Sequence, residues 1–126
     1  MTSKDLSYEA QIYSAYIPEQ NFFSATWLSE HSQPQSIVYA DYDSLQTALL
    51  SYGVLTWESF ELHNTTILEG NSYVYLSKLN VRDGIVTITE PTMGWFNASE
   101  LSSVLRQNDL IYSNGNGEIW YVPQSG

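Results

Sequence analysis

The sequence predicts an α/β fold, a mixed open sheet with short helices packed on it and a closing C-terminal β-hairpin. Three observations predict it. Stretches of helical apolar spacing alternate with short runs of β-branched and aromatic residues, the order expected when helices pack on a sheet. Helix start and stop residues bracket the helical stretches. Near the end, two apolar runs enclose the loop Ser113-Asn114-Gly115-Asn116-Gly117, a hairpin signature. A chain of 126 residues has surface enough to bury one core and no second. The expected organisation is a lead-in segment, partly disordered, over 1–18, one α/β domain over 19–122 and a tail over 123–126.

Ahead of Pro18, Tyr8, Ile12, Tyr13, Tyr16 and Ile17 stand among small polar residues, as a weak helix or an extended lead-in. From Glu19 to His31, Phe23 and Trp27 fall four apart and two helix-starting residues follow the proline, so the stretch reads as a helix with an aromatic face turned to the core. Pro34 and its polar neighbours break it. Ile37-Val38-Tyr39-Ala40 suits an inner strand, which Asp41 ends at the surface. Asp43 and Gln46 have capping-box spacing, and Leu45, Ala48, Leu49 and Tyr52 recur at helical intervals until Gly53 stops them. Val54 to Leu62 reads as extended and His63-Asn64-Thr65-Thr66 as a turn. Tyr73-Val74-Tyr75-Leu76 and Ile85-Val86-Thr87-Ile88 read as strands joined by a polar stretch ending at Gly84. Asn97 and Glu100 repeat the capping-box spacing before Leu101, Val104 and Leu105, a short third helix. Leu110-Ile111-Tyr112 and Ile119-Trp120-Tyr121-Val122 form the closing hairpin. One core is expected from Phe23, Trp27, Leu28, Val38, Leu45, Leu49, Val74, Ile85, Val86, Leu101 and Leu105.

Hydrophobic residues make up 43% of the chain and charged residues only 14%, so its polar surface is built mainly from Ser, Thr, Asn, Gln and tyrosine hydroxyls. That composition suits work outside the cytoplasm. Fourteen acidic residues against four basic ones leave a charge of −10, and Lys4, Lys78, Arg82 and Arg106 are scattered. Nucleic acid and anionic lipid surfaces are both repelled. Mimicry of DNA would want a regular carboxylate stripe, and the acids run without order from Asp5 to Glu118. Without cysteine there is neither a disulfide nor a thiolate metal site. No apolar run approaches the ~20 residues of a membrane span, and no signal-peptide pattern opens the chain. Either the chain is cytoplasmic and complete, or it is a domain whose targeting information lies upstream.

Asp41 and Asp43 follow a predicted inner strand, where open α/β sheets bind ligands, and paired carboxylates there could hold a hard cation or act as acid and base. The competing reading has Asp43 capping the next helix and Asp41 tying down the turn. No third carboxylate close in sequence completes a metal cage, so no metal, cofactor or catalytic residue is assigned. His31 and His63 read as surface histidines, since no Gly-x-Ser-x-Gly elbow exists to anchor a triad. Ten tyrosines, four tryptophans and four phenylalanines offer flat faces for carbohydrate, with Trp57, Trp95 and Trp120 as the candidate stacking residues. Asn64-Thr65-Thr66 and Asn97-Ala98-Ser99 match the glycosylation acceptor pattern, although Asn97 also serves as a helix cap.

Several segments carry a family resemblance: the stretch from Glu19 to Glu30 with its Trp27-Leu28 centre, Val38-Tyr39-Ala40-Asp41, Leu49-Leu50-Ser51-Tyr52-Gly53, and the stretch from Ile111 to Trp120. In this order they resemble the C-terminal extracytoplasmic soluble region of archaeal multi-pass membrane proteins related to the GT-C glycosyltransferases, over most of 19–122. Asn116 and Trp120 depart from the closing pattern of those proteins. The resemblance implies that the catalytic acids lie in loops between membrane helices of the same polypeptide, and that no active-site residue falls in this chain. It also implies packing on the outer face of a transferase core, where the domain would help hold an acceptor or a lipid-linked sugar.

The leading expectation is thus a non-catalytic extracytoplasmic domain of a glycosyltransferase-like membrane protein. Its partners would be the membrane-embedded part of the same polypeptide and carbohydrate or lipid-linked sugar. The alternative is a free-standing acidic binding or inhibitor protein that engages a basic partner; a stand-alone enzyme centred on Asp41 and Asp43 comes third. The isolated chain is expected to fold as a monomer, because its local signals agree with one another and its charge opposes self-association.

Overall fold

β-Branched and aromatic runs become strands, and the stretches with helical spacing become helices, in a computed structural model that describes residues 19–32, 36–47, 49, 58–90 and 92–124. Helix α1 spans Glu19–His31. Strand β1 (Ile37–Ala40) follows, then the short helix α2 (Tyr42–Gln46) and strands β2 (Glu58–Glu61) and β3 (Ser72–Leu76). A single helical turn, α3 (Lys78–Val81), leads to β4 (Ile85–Ile88) and β5 (Gly94–Asn97). A 3-10 turn (Ala98–Leu101) runs into α4 (Ser102–Leu105), and β6 (Asp109–Ser113) and β7 (Glu118–Val122) close the chain.

The main sheet has five strands in the order β2-β1-β3-β7-β6. Strand β1 is parallel to both neighbours, pairing Ala40 with Glu61 and Val38 with Tyr73, whereas β7 runs antiparallel to β3 and β6. The predicted inner strand is therefore inner, and the predicted hairpin closes the sheet. Strands β4 and β5 form a separate antiparallel pair.

Alternation along the strands divides the apolar residues between the two faces of the main sheet. On one face Val38, Ala40, Tyr75 and Ile119 bury against Ala25 and Leu28 of α1 and against Leu49. On the other, Tyr39, Val74, Leu76 and Val122 bury against Val86 of β4, Leu62 and Leu101. The single core expected from the sequence is thus two clusters separated by the sheet. Phe23 belongs to neither, being 48% exposed; the helix buries Ser24, Ala25 and Leu28 instead. A face of small residues lets α1 lie close to the sheet, and the bulkier Trp27 sits at its margin, stacked on Tyr112 with ring centroids 5.0 Å apart.

The last loop explains its own glycines. Gly115 has a φ of +89°, a left-handed conformation that side chains resist. Gly117 is needed for closeness: an added Cβ would lie 2.8 Å from Ser24 Oγ and 3.2 Å from the Leu76 carbonyl oxygen. Asn114 ties the loop together, accepting from Gly117 N at 2.8 Å and donating to the buried Ser24 Oγ at 3.1 Å.

Other sequence expectations change in the folded chain. The stretch between β3 and β4 contains α3, whose start is fixed by Asn80 Oδ1 accepting from Ser77 N. Strand β5 had no apolar alternation to announce it. Asn97 precedes the 3-10 turn without capping it through its side chain. Val54, Trp57, Ala48 and Tyr52 lie outside the described residues, as does the lead-in.

Because Leu28 is fully buried and Phe23 half-exposed, their truncations should differ. Leu28→Ala is expected to cost about 2–5 kcal/mol and Phe23→Ala about 1 kcal/mol or less, measured by urea unfolding.

Candidate functional site

The carboxyl ends of β1 and β2 stand side by side, because Ala40 pairs with Glu61. Asp41 follows the first and Glu61 ends the second. Strand β4 reaches the first and the residue just beyond it reaches the second: Thr87 in β4 and Thr89 after its end each offer a backbone N–H and a hydroxyl. Thr87 donates both to Asp41 Oδ2, at 3.0 and 2.9 Å. Thr89 donates its N–H to Glu61 Oε1 and its hydroxyl to Oε2, each at 2.6 Å. The same two-donor grip is thus made twice, two residues apart, and it clasps the small sheet onto the large one.

Asp41 is completely buried, not at the surface where the sequence placed it. It, and not Asp43, is the N-cap of α2, with Oδ1 accepting from Ser44 N at 2.9 Å. Asn80 supplies a fourth donor at 3.0 Å. Three of these donors converge on Oδ2 and one reaches Oδ1, so both carboxylate oxygens are engaged. The Asn80 amide is equally filled, donating also to the Ile85 carbonyl at 2.7 Å and accepting from Ser77 N and Oγ at 2.8 and 3.2 Å. Asp43 lies two residues on, half-buried, with its N–H donated to Thr87 Oγ1 at 2.9 Å. Burial, and secondarily the charge of Asp41, push the Asp43 carboxyl up to about 6.

Glu61 behaves in the opposite way. Burial alone would raise its carboxyl, but hydrogen bonds from the Thr89 hydroxyl and N–H, from His63 and from the Glu90 backbone outweigh burial and hold it below the ordinary glutamate range. His63 Nε2 donates to Glu61 Oε1 at 2.8 Å, so this histidine is a half-buried clasp member instead of a free surface group. Ser59, Phe60, Glu61, His63, Thr89 and Glu90 line a cleft of about 330 Å³ here.

The other sequence candidates are dispersed. Trp95 is 61% exposed on β5, directly across from Thr87 and therefore beside the clasp. Trp120 is half-buried in the second core cluster, its Nε1 donating to Glu118 at 3.1 Å. Trp57 lies outside the described residues. No ring contact joins Trp95 to Trp120 among the described residues. Asn64 is exposed in its turn and donates to Glu100 at 2.8 Å; Asn97 is exposed at the end of β5. Among the described residues no group of three or more metal-ligating side chains is gathered.

Sequence reasoning missed Glu61, Thr87, Thr89 and Asn80. The one local signal was the Thr-x-Thr spacing of Thr87 and Thr89 at the end of β4, which in extended backbone places both hydroxyls on one face. A second concavity was also missed. At the opposite end of the sheet, His31, Ser36, Asn71, Tyr73 and Tyr121 line a pocket of about 240 Å³.

Each of the three carboxylates has its own expected effect on stability. Asp41→Ala orphans buried donors on Ser44, Asn80 and Thr87, and is expected to cost about 3–5 kcal/mol in urea unfolding, at about 1–3 kcal/mol for each buried group left unpaired. For Asp43, the folded state holds its proton between the ordinary aspartate value of 3.8 and about 6. Stability therefore falls as pH rises through that interval. Asp43→Asn is expected to raise the melting temperature above pH 7 and to flatten that decline. Glu61 has the reverse sign: its contribution is present at neutral pH and is lost in acid, below the ordinary glutamate range.

Among the described residues no helix is long and apolar enough to cross a membrane. No curated protein and no solved structure matches the chain. One family model does match, over residues 2–120, and its members are described as predicted membrane proteins. With nearly the whole sequence aligned to that model, the chain belongs to the predicted membrane protein family DUF2206.

Proposed function

We propose that the chain is a non-catalytic, extracytoplasmic domain of a glycosyltransferase-like membrane protein, where it assists the binding of an acceptor or a lipid-linked sugar. Membership in a family of predicted membrane proteins supports attachment to a membrane-embedded partner segment. The glycosyltransferase-like part of the reading rests on the resemblance carried by the Trp27-Leu28 helix, the Tyr39-Ala40-Asp41 strand end and the closing hairpin.

One observation carries the non-catalytic part. In an open α/β sheet the carboxyl ends of the strands are the usual place for ligands and acid–base groups. Here the two carboxylates at that place, Asp41 and Glu61, are bound by Thr87 and Thr89 and hold the fold together. A general acid or base must have a lone pair or proton free for substrate. Asp41 has four donors on it already and no exposed surface.

The test uses the membrane protein that contains the chain, reconstituted in sealed vesicles. Residues 19–122 are deleted, and glycosyl transfer from a lipid-linked donor is followed. The expected result is retained membrane insertion with transfer reduced at least about tenfold, the scale of a lost positioning interaction. A tag in the Asn64 turn is expected to face the extracytoplasmic side. Unchanged transfer, or a tag reached only from the cytoplasmic side, would overturn the proposal.

A further inference from the structure

The pocket at the far end of the sheet from the clasp differs from the rest of the molecule in charge. The chain carries −10, yet His31, Ser36, Asn71, Tyr73 and Tyr121 include no carboxylate, lysine or arginine. They supply chiefly neutral donors and acceptors, with a smaller share of apolar ring surface. Tyr73 and Tyr121 are cross-strand partners in β3 and β7, with ring centroids 5.4 Å apart and planes inclined at 57°, so the two rings make a corner and not a flat wall.

The polar groups are set in place before anything binds. Tyr121 Oη donates to Asn71 Oδ1 at 2.6 Å, which fixes the amide and leaves the Asn71 NH₂ as a donor. Asn71 itself sits at a φ of +64°, a left-handed position, and its N–H is anchored to the Val122 carbonyl at 2.7 Å. His31 is held by a bond from Nδ1 to the Trp27 carbonyl oxygen at 2.8 Å and by stacking on the Trp27 ring at 4.1 Å. That leaves Nε2 as the ring's second polar atom. Burial and the neighbouring Tyr121 phenol raise the Tyr73 phenol, so it stays protonated and can both donate and accept.

We infer that this pocket binds a single neutral hexopyranose unit. A sugar ring has apolar C–H faces for an aromatic corner and hydroxyls at its rim for mixed donors and acceptors. The volume of about 240 Å³ suits one ring and not a drug-sized ligand. The surrounding negative charge disfavours uronic acids and sugar phosphates. The inference deepens the reading above and depends on it only for where the sugar comes from, a free glycan acceptor or a lipid-linked donor.

The experiment titrates the purified 126-residue chain with neutral methyl hexopyranosides and with the matching methyl glucuronide, following the side-chain NMR signals of Tyr73, Tyr121 and Asn71. Saturable shifts with dissociation constants on the order of millimolar are expected for at least one neutral glycoside, with binding at least about tenfold weaker for the glucuronide. Tyr73→Phe removes one hydroxyl and is expected to weaken binding by about tenfold without lowering the melting temperature. Asn71→Gly keeps the left-handed backbone and removes the amide, and is expected to weaken binding similarly. No shift at these residues with any neutral glycoside, or binding that neither variant changes, would overturn the inference.

A second arm adds a neutral lipid-linked sugar in detergent. Competition between it and the free glycoside at the same residues assigns both sources to this pocket. The two proposals fail separately. Sugar binding in a membrane protein without transferase activity leaves the pocket standing and removes the function. A transfer defect on deletion, with no sugar bound by the chain, does the reverse.

Discussion

Two carboxylates tie the β4–β5 pair to the main sheet. Asp41, completely buried, would be costly without partners, since an unpaired charge in the interior has lost its water; Glu61 is only partly shielded. Each is met by a hydroxyl and an N–H from a single threonine, Thr87 in β4 for Asp41 and Thr89 just after it for Glu61. The β4–β5 pair is a two-stranded ribbon, which has little stability alone in water. It persists here because its apolar side, Val86 and Phe96, lies on the sheet and its threonines are tied at the strand ends. Hydrophobic burial supplies attraction without direction. The paired threonine contacts add the register.

That arrangement leaves the molecule with two unlike ends. At the carboxyl ends of the parallel strands, β4 and its threonines cover the usual ligand position of an open α/β sheet. At the other end no crossing strand intervenes among the described residues, and the tyrosines of β3 and β7 line an open concavity. The mixed topology creates this second possibility. Strand β7 runs antiparallel to β3, so Tyr121 near its end meets Tyr73 near the start of β3. In an all-parallel sheet those positions would lie at opposite edges.

Local signals made much of this legible. The helix from Glu19 to His31, the strand Ile37–Ala40 and the closing hairpin could all be read, because period, caps and turn residues agreed at each. The departures have nonlocal causes. Strand β5 contains Gly94-Trp95-Phe96-Asn97, which has no alternation, and it is a strand only because β4 is beside it. Phe23 looked like a core residue by size, but the close approach of α1 to the sheet selects Ser24 and Ala25. Asp43 had capping-box spacing, and Asp41 took the cap because the helix starts two residues earlier than that spacing implied. The clasp was illegible for a simpler reason: its partners stand 46 and 28 residues apart, and nothing in either segment names the other.

The contact between α1 and the last loop bears on how the chain is made. Ser24 and Asn114 are 90 residues apart, and Gly117 is bare so that the helix can approach. A helix synthesised early therefore has no finished docking surface until the closing hairpin has left the ribosome. Its central partners, Tyr75 and Ile119, also arrive late. Such dependence on distant pairing slows folding and prolongs exposure of apolar surface. The interval before the closing hairpin emerges is the one in which a chaperone would have most to protect.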